Sequence, residues 1–387
     1  MSADRLRLGM VGGGHGAFIG AAHRIAARLD DRYLLTAGAL SSNPDIARAS
    51  GAELGLDPER SYDNFGDMAQ IEAGRQDGIE AVTVVTPNHL HHAVCKVFLE
   101  NGIDVICDKP LTTTLPDARD LLAIAQQNDR LLGVTYTYTG YPMVREARAL
   151  IESGTLGAVR LVQVEFAIGW LSAPLERDGD SKQAAWRTDP AQAGPSFVVA
   201  DLGTHCFHLA EFTTGAQVAA VSADLSTFVD GRRLEDNANL NLRFDNGARG
   251  QMWASMVAAG ETVGLRLRVY GERGHIAWHQ HRPDELHLAF NDSGKRTLVR
   301  GGPDLSEAAR RATRIVAGLP EGYYEAFANL YRDYADLIES RKDGTAPDPL
   351  ALWAPQAEDG VRGLVFVEAA LGSASRDGAW TVLSLDA

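Results

Sequence analysis

The first third of the chain alternates short apolar runs with segments whose apolar residues recur at helical spacing. The apolar runs predict strands that are buried on both faces, at residues 6–11, 34–40, 81–85, 105–107 and 131–135. The segments between them predict helices, around residues 17–28, 45–54, 91–101 and 115–128. Apolar strands that alternate with helices indicate a parallel sheet covered on both sides.

The pattern changes after about residue 140. A connecting helix is predicted at residues 141–153 and a strand at residues 159–166. Strict alternation at residues 238–246, followed by Asp245-Asn246-Gly247, predicts a strand and then a tight hairpin built on positive-φ residues. Residues 141–387 are therefore expected to form an α/β domain with a large, open, mostly antiparallel sheet, completed by helices at residues 321–340 and 357–371.

Composition narrows the class of protein. A chain of 387 residues fits two domains, and a formal net charge of −14 disfavours nucleic acid and anionic membranes as partners. Cys95, Cys107 and Cys206 are widely spaced, which suits a reducing compartment. No apolar stretch is long enough to span a membrane, and the first five residues lack a secretory pattern. A cytoplasmic protein with a small-molecule partner is expected.

A glycine-rich segment from Gly9 to Gly20 indicates nucleotide chemistry. It follows the first strand and opens the first helix, which is the setting of the G-x-G-x-x-G/A dinucleotide fingerprint. The glycines allow a tight turn and a close approach to pyrophosphate, and the helix N-terminus attracts the anion. A glycine-rich turn without a ligand is the alternative explanation. We predict a Rossmann domain over residues 1–140 with cofactor contacts here at Gly12, Gly14, His15, Ala17, Phe18 and Ile19.

The end of the second predicted strand bears on cofactor choice. An acid there would favour NAD and an arginine would favour NADP. The chain has Ser41 and Ser42 instead, which can donate to either ribose or phosphate. Because no guanidinium is placed to bind a 2′-phosphate, NAD is predicted and NADP stays open.

Four elements, taken in order, identify a family resemblance. They are the glycine turn, the segment Thr86-Pro87-Asn88-His89-Leu90-His91, the segment Asp108-Lys109-Pro110, and the pair Asp201 and His205. With them the chain resembles the glucose–fructose oxidoreductase / inositol dehydrogenase / MocA (Gfo/Idh/MocA) family over nearly its whole length. The resemblance implies a Rossmann domain, an open-sheet domain and a homo-dimer or homo-tetramer. The polar sheet face could otherwise meet solvent or substrate.

The resemblance also implies roles for individual residues. Lys109 corresponds to the lysine that touches nicotinamide and substrate hydroxyl, and Asp201 and His205 to the substrate-binding acid and catalytic histidine. It implies further cofactor contacts at Thr86, Asn88, His91 and Asp108, and further substrate contacts at Tyr138, Trp186, Arg187 and His208. Asp108 stands where glutamate is usual, Tyr138 lies where many members carry asparagine and arginines, and His208 where aspartate is common.

General chemistry agrees with these roles. Residues four apart on a helix share a face, so Asp201 and His205 are expected to address one cleft. An imidazole suits a base that accepts an alcohol proton, and an ammonium suits developing alkoxide charge. The alternatives are structural: Asp201 as a helix cap, His205 as a core histidine, and Lys109 as a strand-end charge.

The predicted function is NAD(P)-dependent hydride transfer between nicotinamide and a secondary hydroxyl of a sugar or cyclic polyol. A redox-assisted glycoside hydrolase or lyase of the same family and a non-catalytic nucleotide or sugar sensor are the alternatives. The histidines occur in small clusters, but no Cys-rich or H-E-x-x-H pattern is present, so no metal site is predicted.

Overall fold

The computed structural model describes residues 5–177 and 181–384. The outer ends of the two predicted domains, residues 1–4 and 385–387, therefore lie outside the described residues. The described residues form two compact units: those within 1–137 and 323–361 make up the first, and those within 138–322 and 362–387 make up the second.

The strands are, in chain order, β1 (Leu6–Gly12), β2 (Tyr33–Ala39), β3 (Ala81–Val85), β4 (Asp104–Cys107), β5 (Leu132–Val134), β6 (Val159–Ala167), β7 (Val218–Ser226), β8 (Asn237–Phe244), β9 (Arg249–Ser255), β10 (Arg266–Gly271), β11 (Gly274–His279), β12 (Glu285–Phe290), β13 (Gly294–Val299) and β14 (Thr381–Val382). The α-helices are α1 (Phe18–Leu29), α2 (Pro44–Glu53), α3 (Phe65–Gly74), α4 (His91–Glu100), α5 (Leu115–Gln127), α6 (Pro142–Glu152), α7 (Lys182–Arg187), α8 (Pro190–Ala193), α9 (Thr204–Thr214), α10 (Glu307–Ala312), α11 (Tyr323–Asp343) and α12 (Ala357–Ala374). A π-helical segment spans Val199–Gly203.

The first unit contains the predicted parallel sheet. Its strand order is β2-β1-β3-β4-β5, and every neighbouring pair is parallel. All residues of β3 and β4 are buried, as expected for strands covered on both faces. Side chains of Asn43, Asn64 and Thr114 cap the N-termini of α2, α3 and α5. The Rossmann-type prediction is confirmed, with the carboxyl ends of all five strands at one edge.

Helix α11 corrects the predicted domain division. The sequence pattern placed everything after residue 140 in the second domain, whereas residues 323–361 join the first unit. The buried side of α11 supplies Phe327 and Tyr331 to the core formed with α1 and the sheet. His23 Nδ1 on α1 lies 2.7 Å from the Tyr331 hydroxyl, which lies 2.9 Å from Thr83 Oγ1 on β3. These buried contacts hold α11 to the first unit.

The second unit contains the open sheet. Its order is β13-β12-β11-β10-β6-β9-β8-β7-β14, and only the β6–β9 pair is parallel. Along β8, Leu240 and Leu242 are buried while Asn239 and Asn241 are exposed, which confirms the predicted alternation. The β8–β9 turn differs from expectation, because among residues 245–247 only Gly247 has a positive φ, of 89°.

Helices pack on the apolar face of this sheet. Tyr141, at the start of α6, contacts Trp278 of β11 with ring centroids 5.1 Å apart. Phe207 of α9 stacks on Phe366 of α12 at 4.6 Å. The core of the second unit therefore fixes α9, which carries one of the predicted catalytic residues.

Candidate active site

The turn between β1 and α1 is formed by glycines at positions where a side chain would not fit. Gly12 and Gly13 have φ values of 80° and 73°. A Cβ on Gly12 would lie 2.9 Å from the carbonyl oxygen of Val85, and one on Gly20 would lie 2.4 Å from the Cα of Gly13. The N-terminus of α1 therefore approaches β1 and β3 only because these positions are glycine.

Backbone amides at this turn fit a dinucleotide pyrophosphate. The Gly14 amide is already engaged by Leu40 O at 3.1 Å, and a Cβ on Gly14 would lie 2.6 Å from that oxygen, so the amides left for an anion are those of the first turn of α1. Helix α1 has Ala17 as its N-cap, so no side chain caps the first turn. Amides without a side-chain cap, next to a turn that excludes Cβ atoms, are what the anion requires.

The other predicted contacts in this turn differ in exposure. The His15 amide donates to Ser50 Oγ at 3.0 Å, and the exposed His15 ring lies 3.0 Å from Glu53 Oε2. Phe18 is 75% exposed, whereas Ile19 is half-buried and packs against the core. His15 and Phe18 are thus available to a ligand, and the side chain of Ile19 serves mainly packing.

Two serines follow β2, at the predicted ribose position. The hydroxyl of Ser41 accepts from the amide of Asn43 at 3.1 Å, and the side chain of Asn43 in turn caps α2. Ser42 is exposed. A hydroxyl-lined turn therefore occupies the position where an acid or an arginine would discriminate between the two cofactors.

The loops after β3 and β4 are joined by His91. Its ring is 1% exposed, with Nδ1 2.9 Å from Pro110 O and Nε2 3.0 Å from Thr86 O. Thr86 Oγ1 is buried and has no hydrogen-bond partner among the described residues. Asn88 is half-buried in the short helix that precedes α4. These contacts bring together the loops that carry Thr86, Asn88 and Lys109.

Asp108 fixes the start of the Lys109 segment. Its Oδ1 accepts from the Lys109 amide at 2.8 Å and from Thr135 Oγ1 at 3.0 Å. Thr135 directly follows β5, so one carboxylate oxygen links the ends of β4 and β5. Lys109 itself is half-buried. The three strand ends that surround Lys109 are thus held by side-chain contacts from His91 and Asp108.

In the second unit, Asp201 and His205 lie on one helical run. The π-helical segment Val199–Gly203 continues directly into α9, so the two residues are about one turn apart. The N-cap positions of the two segments are Val198 and Gly203, which places Asp201 inside the run rather than at a cap. The predicted shared helix is present, although its first turn is wider than an α-helix.

A buried carboxylate holds the start of this run. Glu235 Oε1 accepts from the amides of Phe197 and Val199, at 2.9 and 3.1 Å, and from Ser196 Oγ at 2.5 Å. Burial raises the pKa of Glu235, while these three donors oppose the rise. The orphan amides of the helical start are therefore satisfied, which fixes the run that carries Asp201.

Arg187 is paired with Asp201. Its Nε donates to Asp201 Oδ2 at 3.1 Å, and its NH1 donates to Gln183 Oε1 at 2.6 Å. The guanidinium carbon lies 4.2 Å from the centre of the Trp186 ring and 5.7 Å from that of Trp170. The fork of Arg187 is thus committed to neighbours on three sides, and it orients the Asp201 carboxylate.

His205 lies in an aromatic surround. Its ring is 8% exposed and lies perpendicular to the Tyr138 ring in a T-shaped contact, with centroids 4.8 Å apart. Phe166, at the end of β6, lies 6.1 Å from the same imidazole and 5.5 Å from Tyr138. The predicted residues Tyr138 and His205 are thus brought into contact.

His208, one turn further along α9, is also buried and stacks near Phe212 at 6.2 Å. Over residues 5–177 and 181–384, no group of three or more His, Cys, Asp or Glu side chains is arranged to hold a metal ion. In the same part of the chain no helix is both long and apolar enough to cross a bilayer.

Sequence reasoning missed three residues that shape this site. Glu235 acts through long-range contacts that no local pattern reveals, whereas Gln183 lies four residues before Arg187 on α7, a helical spacing that could have indicated the contact. Trp170 is 40% exposed near Arg187, just beyond the end of β6. An aromatic residue soon after an apolar strand was the available signal for Trp170, since strand ends commonly carry ligand contacts.

Comparisons with known protein families match both units. Residues 6–136 match the oxidoreductase family model described as an NAD-binding Rossmann fold. Residues 144–277 match the GFO/IDH/MocA C-terminal domain model. The first match supplies the cofactor class that the glycine turn indicated.

Individual relatives cover nearly the full chain. An uncharacterised oxidoreductase, YfiI, of Bacillus subtilis is 37% identical over 97% of this chain and 96% of its own. A crystal structure of an oxidoreductase from Sinorhizobium meliloti is 48% identical with a TM-score of 0.88, covering 98% and 99% of the two chains. An inositol dehydrogenase homolog from Azotobacter vinelandii, crystallised with NADH and myo-inositol, is 38% identical with a TM-score of 0.91 and 98% coverage of both chains.

Proposed function

The chain belongs to the GFO/IDH/MocA oxidoreductase family, and on that premise we propose that it is an NAD-dependent dehydrogenase of a sugar or cyclic polyol. The reaction is hydride transfer between the nicotinamide and a secondary hydroxyl of the substrate. The observation that supports it most strongly is the run in the second unit that carries Asp201, paired with Arg187, and His205, enclosed by Tyr138 and Phe166.

This group of side chains suits a polyhydroxylated ring. A carboxylate accepts hydrogen bonds from hydroxyl groups, and aromatic faces pack against the C–H face of a sugar or cyclitol. Trp170 and Trp186 flank Arg187, which holds the Asp201 carboxylate. We assign Asp201 and the two tryptophans to substrate orientation. Myo-inositol is bound by the Azotobacter homolog, so cyclitols come first among the candidate substrates.

In the proposed oxidation, NAD supplies the hydride acceptor when it is bound. His205 accepts the proton of the reacting hydroxyl, since an imidazole ordinarily titrates near neutral pH and can both take up and return a proton there. The ammonium of Lys109 stabilises the negative charge that develops on the hydroxyl oxygen. In the reverse direction His205 returns the proton. The cofactor is held by the glycine turn and by the loops at Ser41, Thr86 and Asn88.

Assembly and location follow from the same premise. We propose a cytoplasmic homo-dimer or homo-tetramer that pairs through the polar face of the open sheet, where exposed Asn239 and Asn241 line β8. Light scattering of the purified protein measures this directly. A mass equal to one chain of 41.6 kDa at micromolar concentration would contradict the proposed assembly.

The proposed function is tested by absorbance at the reduced-nicotinamide band. The protein is offered NAD or NADP together with inositols, aldoses and glycosides. A rise with NAD and one group of polyols is expected. No rise with any pair, in a protein that demonstrably binds NADH, would overturn the dehydrogenase. Cleavage of a glycoside without a rise in reduced-nicotinamide absorbance would then indicate the hydrolase or lyase. Binding of a nucleotide or sugar without its conversion would indicate the sensor.

A further inference from the structure

His91 occupies an unusual place between two loops of the first unit. It is the first residue of α4, it is almost completely buried, and each of its ring nitrogens faces a backbone carbonyl oxygen. One carbonyl belongs to Pro110, at 2.9 Å from Nδ1, and the other to Thr86, at 3.0 Å from Nε2. Both distances are those of ordinary N–H···O hydrogen bonds.

The two carbonyls belong to segments with different proposed tasks. Thr86 directly follows β3 and begins the loop assigned to the cofactor. Pro110 directly follows Lys109, which is assigned to the reacting hydroxyl. Because β3 and β4 are neighbours in the sheet, a single imidazole spans both loops. Because the ring is buried and each nitrogen faces a backbone carbonyl, it is placed to position these two loops and does not itself face a ligand.

The protonation of the ring determines what it can donate. Burial lowers the pKa of His91, and the nearby Asp108 carboxylate and the carbonyl oxygens oppose that shift. A neutral imidazole carries one N–H, so each tautomer donates to one of the two carbonyls. The two contacts can therefore be separated by substitution.

We propose that His91 is a positioning residue that couples the placement of Lys109 to that of the cofactor loop at Thr86. The inference rests on the proposed function in one respect, which is the role of Lys109 in turnover. It assigns no contact between His91 and cofactor or substrate. Instead, the Nδ1–H tautomer donates to Pro110 O and holds the Lys109-Pro110 backbone, whereas the Nε2–H tautomer donates to Thr86 O and holds the start of the cofactor loop, so one ring serves the two loops in turn.

Two conservative variants separate the two contacts. In His91→Asn the side-chain amide lies where Nδ1 lay and can still donate to Pro110 O. In His91→Gln the amide reaches the position of Nε2 and can donate to Thr86 O. His91→Phe keeps the ring and removes both donors. His92→Phe is the matched control, because His92 is the next residue on α4 and its Nε2 lies 2.8 Å from Asp120 at the surface.

Three quantities are measured for each variant: kcat with the best polyol, the NADH dissociation constant from nicotinamide fluorescence, and the thermal midpoint. His91→Asn should weaken NADH binding about fivefold and keep kcat within about twofold. His91→Gln should lower kcat about fivefold and keep NADH binding within about twofold. His91→Phe should impair both, and His92→Phe neither.

Other results contradict the coupling. If His91→Phe folds and retains wild-type kcat and NADH affinity, His91 has only a packing role. If Asn and Gln lose both quantities equally, the two contacts do not act separately and the proposal is wrong. Should His91→Phe fail to fold, the opposite effects expected of His91→Asn and His91→Gln still test whether His91 couples the two loops. Should the wild type oxidise no polyol, the proposed function fails, and NADH affinity in Asn against Gln still tests the coupling.

Discussion

Arg187 holds the Asp201 carboxylate, with Nε 3.1 Å from Oδ2, while its guanidinium carbon lies over the Trp186 ring, 4.2 Å from the ring centre. Both side chains are about one-fifth exposed, so the pair is partly shielded from solvent. The family resemblance implies that Arg187 contacts the substrate. In the structure it donates to Asp201 and Gln183, so we propose that Arg187 also orients the acid assigned to substrate binding.

Removing this pair should weaken substrate binding more than turnover. Arg187→Ala is expected to raise KM for the polyol about tenfold, since a hydrogen bond to a charged group contributes about 1.5–3 kcal/mol. Arg187→Lys should recover little of the loss, because a lysine lacks the planar fork and its stacking. Steady-state kinetics measures both. The control is Arg233→Ala, which removes an exposed pair with Asp189 at 2.8 Å and should leave KM unchanged. A KM within twofold of wild type for Arg187→Ala would contradict this role.

Trp170 offers a second test of the polyol site. Trp170→Ala should raise KM for a ring polyol about fivefold to tenfold and leave NADH affinity unchanged, because an aromatic face contributes to sugar binding by stacking. Trp170→Phe should raise KM less than Trp170→Ala does, because a phenylalanine still offers an aromatic face. Trp380→Ala is the matched control: Trp380 is equally exposed, at 40%, and stacks on Arg243 instead. Equal KM values for the two alanine variants would show that Trp170 does not contact the substrate.

The assigned base and ammonium should control the rate. His205→Gln and Lys109→Met are each expected to lower kcat by about 10²–10⁴, the range typical of general-base and electrostatic contributions. His205→Gln should bind NADH as the wild type does, since His205 is assigned to proton transfer alone. Stopped-flow or steady-state absorbance gives kcat, and fluorescence gives NADH affinity. Wild-type turnover in either folded variant would refute the assignment of that residue.

The buried His23 should make the free energy of unfolding depend on pH. Burial is the largest cause that lowers the pKa of His23, from 6.5 to about 4, and the nearby Asp108 opposes it. Between these values the unfolded chain binds the proton more readily than the folded one, so the free energy of unfolding falls as pH drops from 6.5 towards 4. Over the whole window the loss is about 3 kcal/mol.

Urea unfolding at several pH values checks this prediction. His23→Asn keeps a side-chain group near Nδ1 for the Tyr331 hydroxyl and removes the titration, so its stability should fall less steeply with acid. His15→Asn is the control, because the His15 side chain is 72% exposed and should not change the slope. If the free energy of unfolding fell equally steeply with decreasing pH in the wild type and in His23→Asn, the result would be inconsistent with a buried neutral His23.

Local patterns were sufficient for the parts of the fold that depend on near neighbours. The parallel strands are mostly apolar, and the glycine turn lies where positive φ and close backbone approach leave no room for side chains. Alternation along β8 likewise specified which residues face the core. These features follow from periods of two and 3.6 residues and from the absence of a Cβ.

Other features depend on contacts that lie far apart in sequence. The apolar stripe of α11 shows that one side is buried, but not that it packs against α1, about 300 residues earlier in the chain. The Arg187–Asp201 pair and the Glu235 contacts join separate segments in the same way. The π-helical turn before α9 has no sequence signal that we can identify.

The burial of His91 could be predicted from the local pattern, but its hydrogen-bond partners could not. Its spacing from Cys95 and Phe98, four and seven residues later, places it on the buried face of α4, whereas His89 and His92 fall outside that face. The pattern could therefore have indicated that His91 is buried. It could not have indicated that the ring joins Thr86 to Pro110, since the second loop is supplied by a different strand.

The central claim is that a carbon-bound hydrogen of a polyol moves to the nicotinamide. The most direct measurement uses the polyol that gives the largest rise in reduced cofactor, deuterated at its carbons, with mass spectrometry of the NADH formed. Direct hydride transfer places one deuterium in each NADH, and none when an undeuterated polyol is oxidised in D₂O. Consumption of substrate without accumulation of NADH, or NADH that carries no deuterium from the substrate carbon, would contradict it.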